Sequence, residues 1–258
     1  MTGLPAETDL LADSPGGADG HGGAFLRALV AELDALADDP AADPARRRAG
    51  LEARRAALAD SGSDLSRDLA HHGIPPQQAD QLAQARLHRA DGLRIATWGE
   101  LLAHAGYAAG PVGRILLSWD GNGDPAAARA ADALCAALFV LGRVAAAKTD
   151  YTGFDRVFLP QSYFREAAVG VERLAGATAQ GQIRAVLDRA LDGADRLLAE
   201  AAPLPRLLRG RARRRAARRT LCAARCLARR VRAGDPFAGP ITLTRWDRLR
   251  CAVAAVLP

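Results

Sequence analysis

Residues Trp98–Leu117 read Trp-Gly-Glu-Leu-Leu-Ala-His-Ala-Gly-Tyr-Ala-Ala-Gly-Pro-Val-Gly-Arg-Ile-Leu-Leu and carry the strongest structural signal in the chain. The stretch begins as an amphipathic helix, with Leu101 and Leu102 on one face. It then passes through small residues into Gly110 and Pro111, although glycine costs a helix about 1 kcal/mol and proline about 3 kcal/mol relative to alanine. A helical sequence that contains both predicts a kink, or a place where another group approaches the backbone closely.

The composition of the 258-residue chain predicts an all-α protein with a single folded domain. Alanine, leucine and arginine dominate, and no stretch alternates apolar and polar residues over the length of a strand. Residues 1–23 are rich in glycine and also contain proline, aspartate and serine, so we expect a disordered tail before a domain over residues 24–258.

Turn residues set the expected helix limits. We expect a first helix over residues 24–38, a long apolar helix over residues 126–147 with an interruption at Thr152-Gly153, and a last helix over residues 205–233. No continuous apolar run reaches the roughly 20 residues of a membrane span, and the N-terminus lacks the pattern of a signal peptide. These features predict a cytoplasmic protein.

The cysteines and arginines each allow more than one interpretation. Cys222 and Cys226 are one helical turn apart, but none of the four cysteines has CxxC spacing, which favours buried thiols in a reducing cytoplasm over a metal or redox site. Residues 206–232 hold twelve arginines and no acid. A solvated helix face explains this run, and peripheral contact with an anionic membrane is a second interpretation. Nucleic acid is disfavoured, because no aromatic side chains interleave to stack bases.

Two carboxylates, Asp34 and Asp38, are spaced i and i+4, which puts them on one face of a helix. Such pairs are usually solvated surface residues. They also suit Mg2+, which binds one or two carboxylates and completes its shell with water and phosphate oxygens. There it would neutralise a departing diphosphate.

The Asp34–Pro40 segment resembles the first aspartate motif of the squalene/phytoene synthase family, and Trp98–Arg114 resembles the segment that lines the family's prenyl diphosphate cavity. Further elements are similar in order and spacing, so that the resemblance covers about residues 24–258. They are Pro44–Leu51, Asp91, Thr97-Trp98, Arg156–Pro160, Asp235–Gly239 and Leu243–Asp247. The Pro-Val-Gly-Arg motif at residues 111–114 is most similar to that of the hopanoid-pathway branch, whose members convert presqualene diphosphate into hydroxysqualene.

The resemblance implies a single-domain, isoprenoid-synthase-type helical bundle around a central cavity. It further implies an Mg2+-dependent transferase that processes farnesyl or presqualene diphosphate to a squalene-type C30 product. The implied metal ligands are Asp34, Asp38 and Asp150, and the implied catalytic residues are His104 and Arg114. The implied substrate-binding residues are Gly110, Val112, Gly113, Arg143, Lys148 and Arg156.

The chain departs from the family pattern at its second aspartate motif, which reads Gly142-Arg-Val-Ala-Ala-Ala-Lys-Thr-Asp150. Asp150 remains, whereas Gly142 and Ala146 offer no side-chain oxygen. Arg143 and Lys148 are expected to replace part of the lost metal charge, since a fixed cation stabilises the same oxygens. The alternative is a catalytically degenerate homologue that acts as a partner or regulator of an active paralogous synthase.

Overall fold

A computed structural model describes residues 21–90 and 92–256. Residues 1–20 of the tail expected at residues 1–23 lie outside the described residues, as does Asp91. The α-helices of the described part are α1 (Gly22–Ala37), α2 (Pro44–Ala59), α3 (Asp64–His71), α4 (Pro76–Ala90), α5 (Trp98–Ala108), α6 (Gly110–Trp119), α7 (Pro125–Phe154), α8 (Gln161–Glu166), α9 (Gln182–Glu200), α10 (Leu204–Leu207), α11 (Arg211–Ala233) and α12 (Arg245–Val256). A 3₁₀ helix spans Val171–Ala175. The predicted all-α class is confirmed. Within the described residues, the β-type pairing is limited to one isolated bridge between Arg94 and Val157.

The break expected after Trp98 lies at Ala109, between α5 and α6. Pro111 has no N–H, and the N–H of Val112 donates to Ala109 O rather than one residue further back. The carbonyl of Ala108 is therefore released from the helix ladder. It accepts a hydrogen bond of 2.8 Å from the buried guanidinium of Arg86 on α4. The group that approaches the backbone here is thus an arginine side chain.

Three helix limits differ from the sequence expectations. Helix α1 begins at Gly22 rather than residue 24, and α7 runs through Thr152-Gly153 to Phe154, so the predicted interruption was wrong. Asp155, in the left-handed region at φ 52°, ends α7 instead. The expected 205–233 helix divides into α10 and α11, because the backbone N–H groups of Arg209 and Gly210 donate to the Asp120 carboxylate at 2.7 and 2.9 Å.

The fourth difference is that α12 was not anticipated at all. The other helices bury leucine, valine or alanine stripes, whereas the buried residue of α12 is Cys251. A helix that buries so little leaves no periodic apolar signal directed at a core.

Helix α7 is the centre of the core, with α5, α6, α9 and α11 packed around it. Its buried side chains include Leu134, Leu138 and Leu141, each at most 2% exposed. By length and composition α7 could cross a membrane, although charged residues interrupt it and no continuous apolar run in it reaches 20 residues. Of its most apolar window 67% is buried inside the protein, so core packing accounts for that composition.

Candidate functional site

The two carboxylates of α1 are held by arginines of α4. Arg86 donates to Asp34 through Nε at 3.1 Å and Nη2 at 3.4 Å. Arg89 donates from one nitrogen, Nη2, to Asp34 at 2.8 Å and to Asp38 at 3.1 Å. Both arginines are buried, whereas the Asp34 and Asp38 side chains are 39% and 38% exposed. The carboxylates therefore face solvent while their cationic partners lie beneath them.

A third arginine, just after the C-terminal end of α7, contacts one of these two carboxylates. Arg156 is 1% exposed and donates to Asp38 at 2.5 Å and to Ala37 O at 2.7 Å. Its guanidinium carbon lies 4.4 Å from the centroid of the Phe154 ring, a cation–π contact. Arg47 also lies over the Phe154 ring, with its guanidinium carbon 5.5 Å from the same centroid.

Asp150, near the end of α7, is paired with Arg143 of the same helix. The two are seven residues apart and so share a face. Arg143 Nη1 lies 2.9 and 3.1 Å from the two Asp150 oxygens. Arg143 also lies over Phe158, with its guanidinium carbon 5.0 Å from the ring centroid. Phe158, Phe139 and His104 form an aromatic cluster with ring centroids 5.5 to 5.8 Å apart.

The arginine–aspartate cluster therefore comprises Asp34, Asp38, Asp150, Arg86, Arg89, Arg143 and Arg156. Its four guanidiniums outnumber its three carboxylates, which leaves one excess positive charge. The buried Nε atoms of Arg89 and Arg156 have no acceptor among the described residues. A buried donor without a partner costs about 1–3 kcal/mol. The cluster is thus chemically suited to an added anion, whose oxygens would accept from these donors.

The charges of the cluster shift the pKa values of its acids in opposite directions. Burial raises the pKa of Asp34, but Arg86 and Arg89 outweigh it and hold this pKa well below its usual range. Burial raises the pKa of Asp150 more than Arg143 and Arg89 lower it. Burial and the nearby Arg89 charge lower the pKa of His104 to about 3. His104 is therefore a neutral imidazole near pH 7 and is not positioned there as a general acid.

The structure does not bring Arg114 to this cluster. Arg114 pairs with Asp132 on α7 at 3.3 and 3.4 Å. Asp132 and Asp150 are 18 residues apart on α7, which is about 27 Å along the helix axis. The structure thus places Arg114 away from the aspartates, and its catalytic role stays a prediction.

Gly110, Val112 and Gly113 lie in the same distant part of the fold. A Cβ atom at Gly110 would meet Asp132 at 3.6 Å, and one at Gly113 would meet Cys135 Sγ at 3.0 Å. Val112 is fully buried in the core. These residues serve the close packing of α6 on α7, and Gly113 also lines an apolar pocket with Leu116 and Ala217. The substrate contacts expected from the resemblance stay a prediction.

Lys148 is also directed elsewhere. Its Nζ donates to the backbone carbonyl of Phe237 at 3.2 Å, which ties the loop before α12 to α7. Two residues along a helix do not share a face, so Lys148 does not sit beside Asp150. Of the two cations expected to compensate for the lost carboxylates, the structure brings Arg143 to the site and not Lys148.

The lost ligand positions are accompanied by free space. A Cβ atom built on Gly142 meets no heavy atom of the described residues within 4 Å. Gly142, Ala146 and Asp150 follow each other at i, i+4 and i+8, on one face of α7. An asparagine or aspartate would fit there without displacing a neighbour.

The donor set fits Mg2+ at one place and not at the other. Asp34 and Asp38 are partly exposed, so a hard cation that keeps several waters can reach them from solvent, where it would share their oxygens with the arginines that donate to them. Asp150 is 6% exposed and both of its oxygens accept from Arg143. No neighbouring side chain at Gly142 or Ala146 supplies a second ligand there.

Arg86 and Arg89 were not identified from the sequence. The signal in the sequence is their spacing of three residues, which puts them on one face of a helix. In the structure α4 buries both arginines together with alanines and leucines. A pair of arginines on an otherwise apolar face needs acidic partners, since buried charges are paired.

The helical architecture defines a class of proteins with solved structures. One is the squalene synthase HpnC from Alicyclobacillus acidocaldarius, with a TM-score of 0.71 and 22% identity, covering 84% of this chain and 83% of that one. A dehydrosqualene synthase gives a TM-score of 0.71 with 20% identity, covering 88% and 83%. YisP from Bacillus subtilis gives 0.61 with 16% identity, covering 90% and 91%. The fold is that of the isoprenoid-synthase helical bundles.

A family model described as squalene/phytoene synthase matches residues 23–248. The chain belongs to the squalene/phytoene synthase family. A hydroxysqualene synthase of Rhodopseudomonas palustris is 36% identical over 110 residues, which span 43% of this chain and 37% of that protein. This relative supports the resemblance to the hopanoid branch.

Proposed function

We propose that this protein is a prenyl-diphosphate-processing synthase that binds its diphosphate largely through arginines. It would act on farnesyl or presqualene diphosphate and form a squalene-type C30 product, by analogy with its family and with the hydroxysqualene synthase relative. The observation that carries the proposal is the arginine–aspartate cluster, with its excess guanidinium and the unpartnered Nε donors of Arg89 and Arg156.

Diphosphate recognition follows from guanidinium chemistry. Arginine presents several N–H donors in a rigid plane that matches phosphate oxygens, and it stays charged at every relevant pH. Arg89 and Arg156 are buried and fixed by Asp34 and Asp38. Their donors are thus preorganised for an oxyanion, and little reorganisation is needed when negative charge grows on the leaving group.

The reaction begins when the carbon–oxygen bond to the diphosphate breaks and the diphosphate leaves with the electron pair. The arginines stabilise the negative charge that develops on the diphosphate oxygens. Phe139 and Phe158 border the site with their ring faces against the guanidinium of Arg143, and they form an apolar wall beside the arginines. Neutral His104 belongs to this wall.

Mg2+ is included in the proposal at the first aspartate pair. Asp34 and Asp38 would hold one ion, which when bound supplies further neutralisation of the diphosphate. Both carboxylate oxygens of Asp150 accept hydrogen bonds from Arg143 and are not free to bind a second ion. We therefore expect weaker dependence on Mg2+ than a site with two complete aspartate motifs would have.

The proposed location is the cytoplasmic face of an anionic membrane. Helix α12 exposes Trp246, Leu249, Val253 and Val256 at i, i+3, i+7 and i+10, which is one face of a helix. Exposed arginines of α12 flank this face, namely Arg245, Arg248 and Arg250. An apolar stripe with flanking cations is typical of helices that lie in a membrane interface. A C30 hydrocarbon product would leave directly into lipid.

Calorimetric titration of the purified chain with farnesyl diphosphate, with and without Mg2+, tests the binding proposal. We expect binding in both conditions, tighter with the metal. Absence of binding without Mg2+, together with unchanged binding after loss of Arg89, would contradict arginine-based recognition.

A further inference from the structure

Three cysteines converge between the last two helices. Cys222 and Cys226 lie one turn apart on α11, and Cys251 lies on α12. Their sulfur atoms all lie within 4.8 Å of one another. Cys226 and Cys251 are buried and Cys222 is partly buried, and none of the chain's four cysteines, all in the described part, forms a disulfide.

The way α12 is attached makes this cluster structurally important. Cys251 is the buried residue of α12, and it packs with Ala223 and Cys226 in a small cluster separate from the main core. The apolar stripe of α12 points to solvent. An ion pair between Arg230 and Asp247 secures the start of the helix. The middle of α12 is therefore held mainly by the cysteine cluster.

We propose that Cys222, Cys226 and Cys251 bind one thiophilic ion of the zinc type and so fasten α12 to α11. Zinc–sulfur bonds of about 2.3 Å in tetrahedral geometry place the sulfur atoms about 3.8 Å apart. Small rotations of the cysteine side chains would bring the three sulfur atoms, now within 4.8 Å of one another, to this spacing. Binding of Zn2+ releases three thiol protons to solvent and leaves a tri-thiolate complex with one negative charge.

The surroundings supply the compensating charge and an entry path. A groove of about 960 Å³ borders Cys222 and Cys226, and its lining includes Arg225, Arg229 and Arg250. Arg229 Nη2 lies 3.2 Å from Cys226 Sγ, where it would donate to a metal-bound thiolate. Hydrogen bonds of this kind orient metal ligands and raise affinity. The groove also gives water access to the fourth coordination position.

The site lies outside the arginine–aspartate cluster, since none of the residues lining the groove belongs to it. The proposal is therefore independent of the proposed catalytic function. It also assigns a role to thiols that the sequence pattern, which lacks CxxC spacing, left as plain buried residues.

The test is a Co2+ titration of the reduced full-length protein, followed by the thiolate-to-cobalt charge-transfer absorption, with Zn2+ then added in competition. We expect saturation at one ion per chain and displacement of Co2+ by Zn2+. Cys222→Ala should weaken binding more than about 100-fold, because loss of an outer-shell partner alone costs 10–100-fold. Cys222 is partly exposed, so this variant should remain folded.

Cys135→Ala is the matched control, because Cys135 is buried against Gly113 and lies outside the cluster. It should bind Co2+ as the wild type does. Hydrogen exchange in residues 245–256 should slow on Zn2+ addition in the wild type and in Cys135→Ala, and not in Cys222→Ala. The proposal is overturned if the wild type shows no charge-transfer band, if Cys222→Ala retains it, or if the freshly purified chain carries a disulfide within the cluster.

Discussion

The guanidinium of Arg156 donates to the carboxylate of Asp38 at 2.5 Å and joins two motifs that are 118 residues apart in the sequence. Arg89 completes the connection, since it contacts both Asp34 and Asp38 and its pKa is also raised by the charge of Asp150. The aspartates expected to hold metal ions therefore converge, but guanidiniums occupy the space between them. This arrangement motivates arginine-based recognition of a diphosphate.

Replacing Arg89 tests that recognition. Arg89→Gln should weaken farnesyl diphosphate binding about 10–100-fold, because a hydrogen bond to a charged group contributes about 1.5–3 kcal/mol. Calorimetric titration without Mg2+ measures the effect.

Arg232→Gln is the matched control, since Arg232 also bridges two aspartates, Asp192 and Asp195, at a distant surface. It should bind as the wild type does. Arg114→Gln should also bind farnesyl diphosphate as the wild type does, because Arg114 lies far along α7 from the arginine–aspartate cluster. A loss in Arg114→Gln equal to that in Arg89→Gln would restore the role that the sequence resemblance implied.

Restoring the lost ligands should increase the dependence on metal. Gly142→Asn combined with Ala146→Asp places two oxygen-bearing side chains on the face of α7 that carries Asp150, in space that is open at Gly142. We expect diphosphate affinity in the double variant to rise with Mg2+ concentration more steeply than in the wild type. The gain in helix propensity from glycine to asparagine at residue 142 should offset part of the loss from alanine to aspartate at residue 146.

The control for this variant is Gly142→Asn with Ala145→Asp, because residue 145 is also half-buried but points about 100° away around α7. An equal response of both variants to Mg2+ would show that added acidity, and not ligand geometry, causes the change.

The neutral state of His104 predicts a pH dependence of folding. Its pKa is about 3 in the folded protein and about 6.5 when unfolded. As pH falls below about 6.5, the unfolded chain binds a proton that the native protein does not, so the free energy of unfolding falls until about pH 3. The full effect is a few kcal/mol, at about 1.4 kcal/mol per pKa unit.

Denaturant unfolding at several pH values measures this slope. His104→Phe, in a pocket already lined by Phe139 and Phe158, should flatten it. His71→Gln, at an exposed position on α3, should not. A slope that is unchanged in His104→Phe would refute a buried neutral imidazole.

Membrane attachment is tested by flotation with vesicles that contain anionic lipid. Trp246→Ala with Leu249→Ala should reduce the bound fraction, because both side chains are exposed on α12. Tyr107→Ala is the control, since Tyr107 is an exposed aromatic residue on α5. Equal flotation of all three proteins, or none of the wild type, would argue against the α12 surface.

The sequence predicted those features that depend on local spacing. The i, i+4 placement of Asp34 and Asp38 and the break beside Pro111 both follow from helix geometry. The roles of Arg86 and Arg89 did not follow, because their acidic partners lie more than 50 residues away in the chain. Pairings of this range are determined by packing.

Packing also overruled local signals elsewhere. Thr152-Gly153 was expected to interrupt α7, but the helix continues there. Gly113 was expected to line a substrate cavity, yet its missing side chain admits Cys135 and Ala131 of α7. A small residue at a helix contact and a small residue at a ligand site carry the same sequence signal.

The most direct test of the account is diphosphate release from farnesyl and presqualene diphosphates by the purified protein with Mg2+, with chromatographic identification of the hydrocarbon or alcohol product. We predict release by the wild type from at least one of the two substrates with a C30 product, a loss of about 10-fold or more in Arg89→Gln, and no loss in Arg232→Gln. Absence of release from both substrates by the wild type, and also by the Gly142→Asn/Ala146→Asp variant, would contradict the proposed enzyme function.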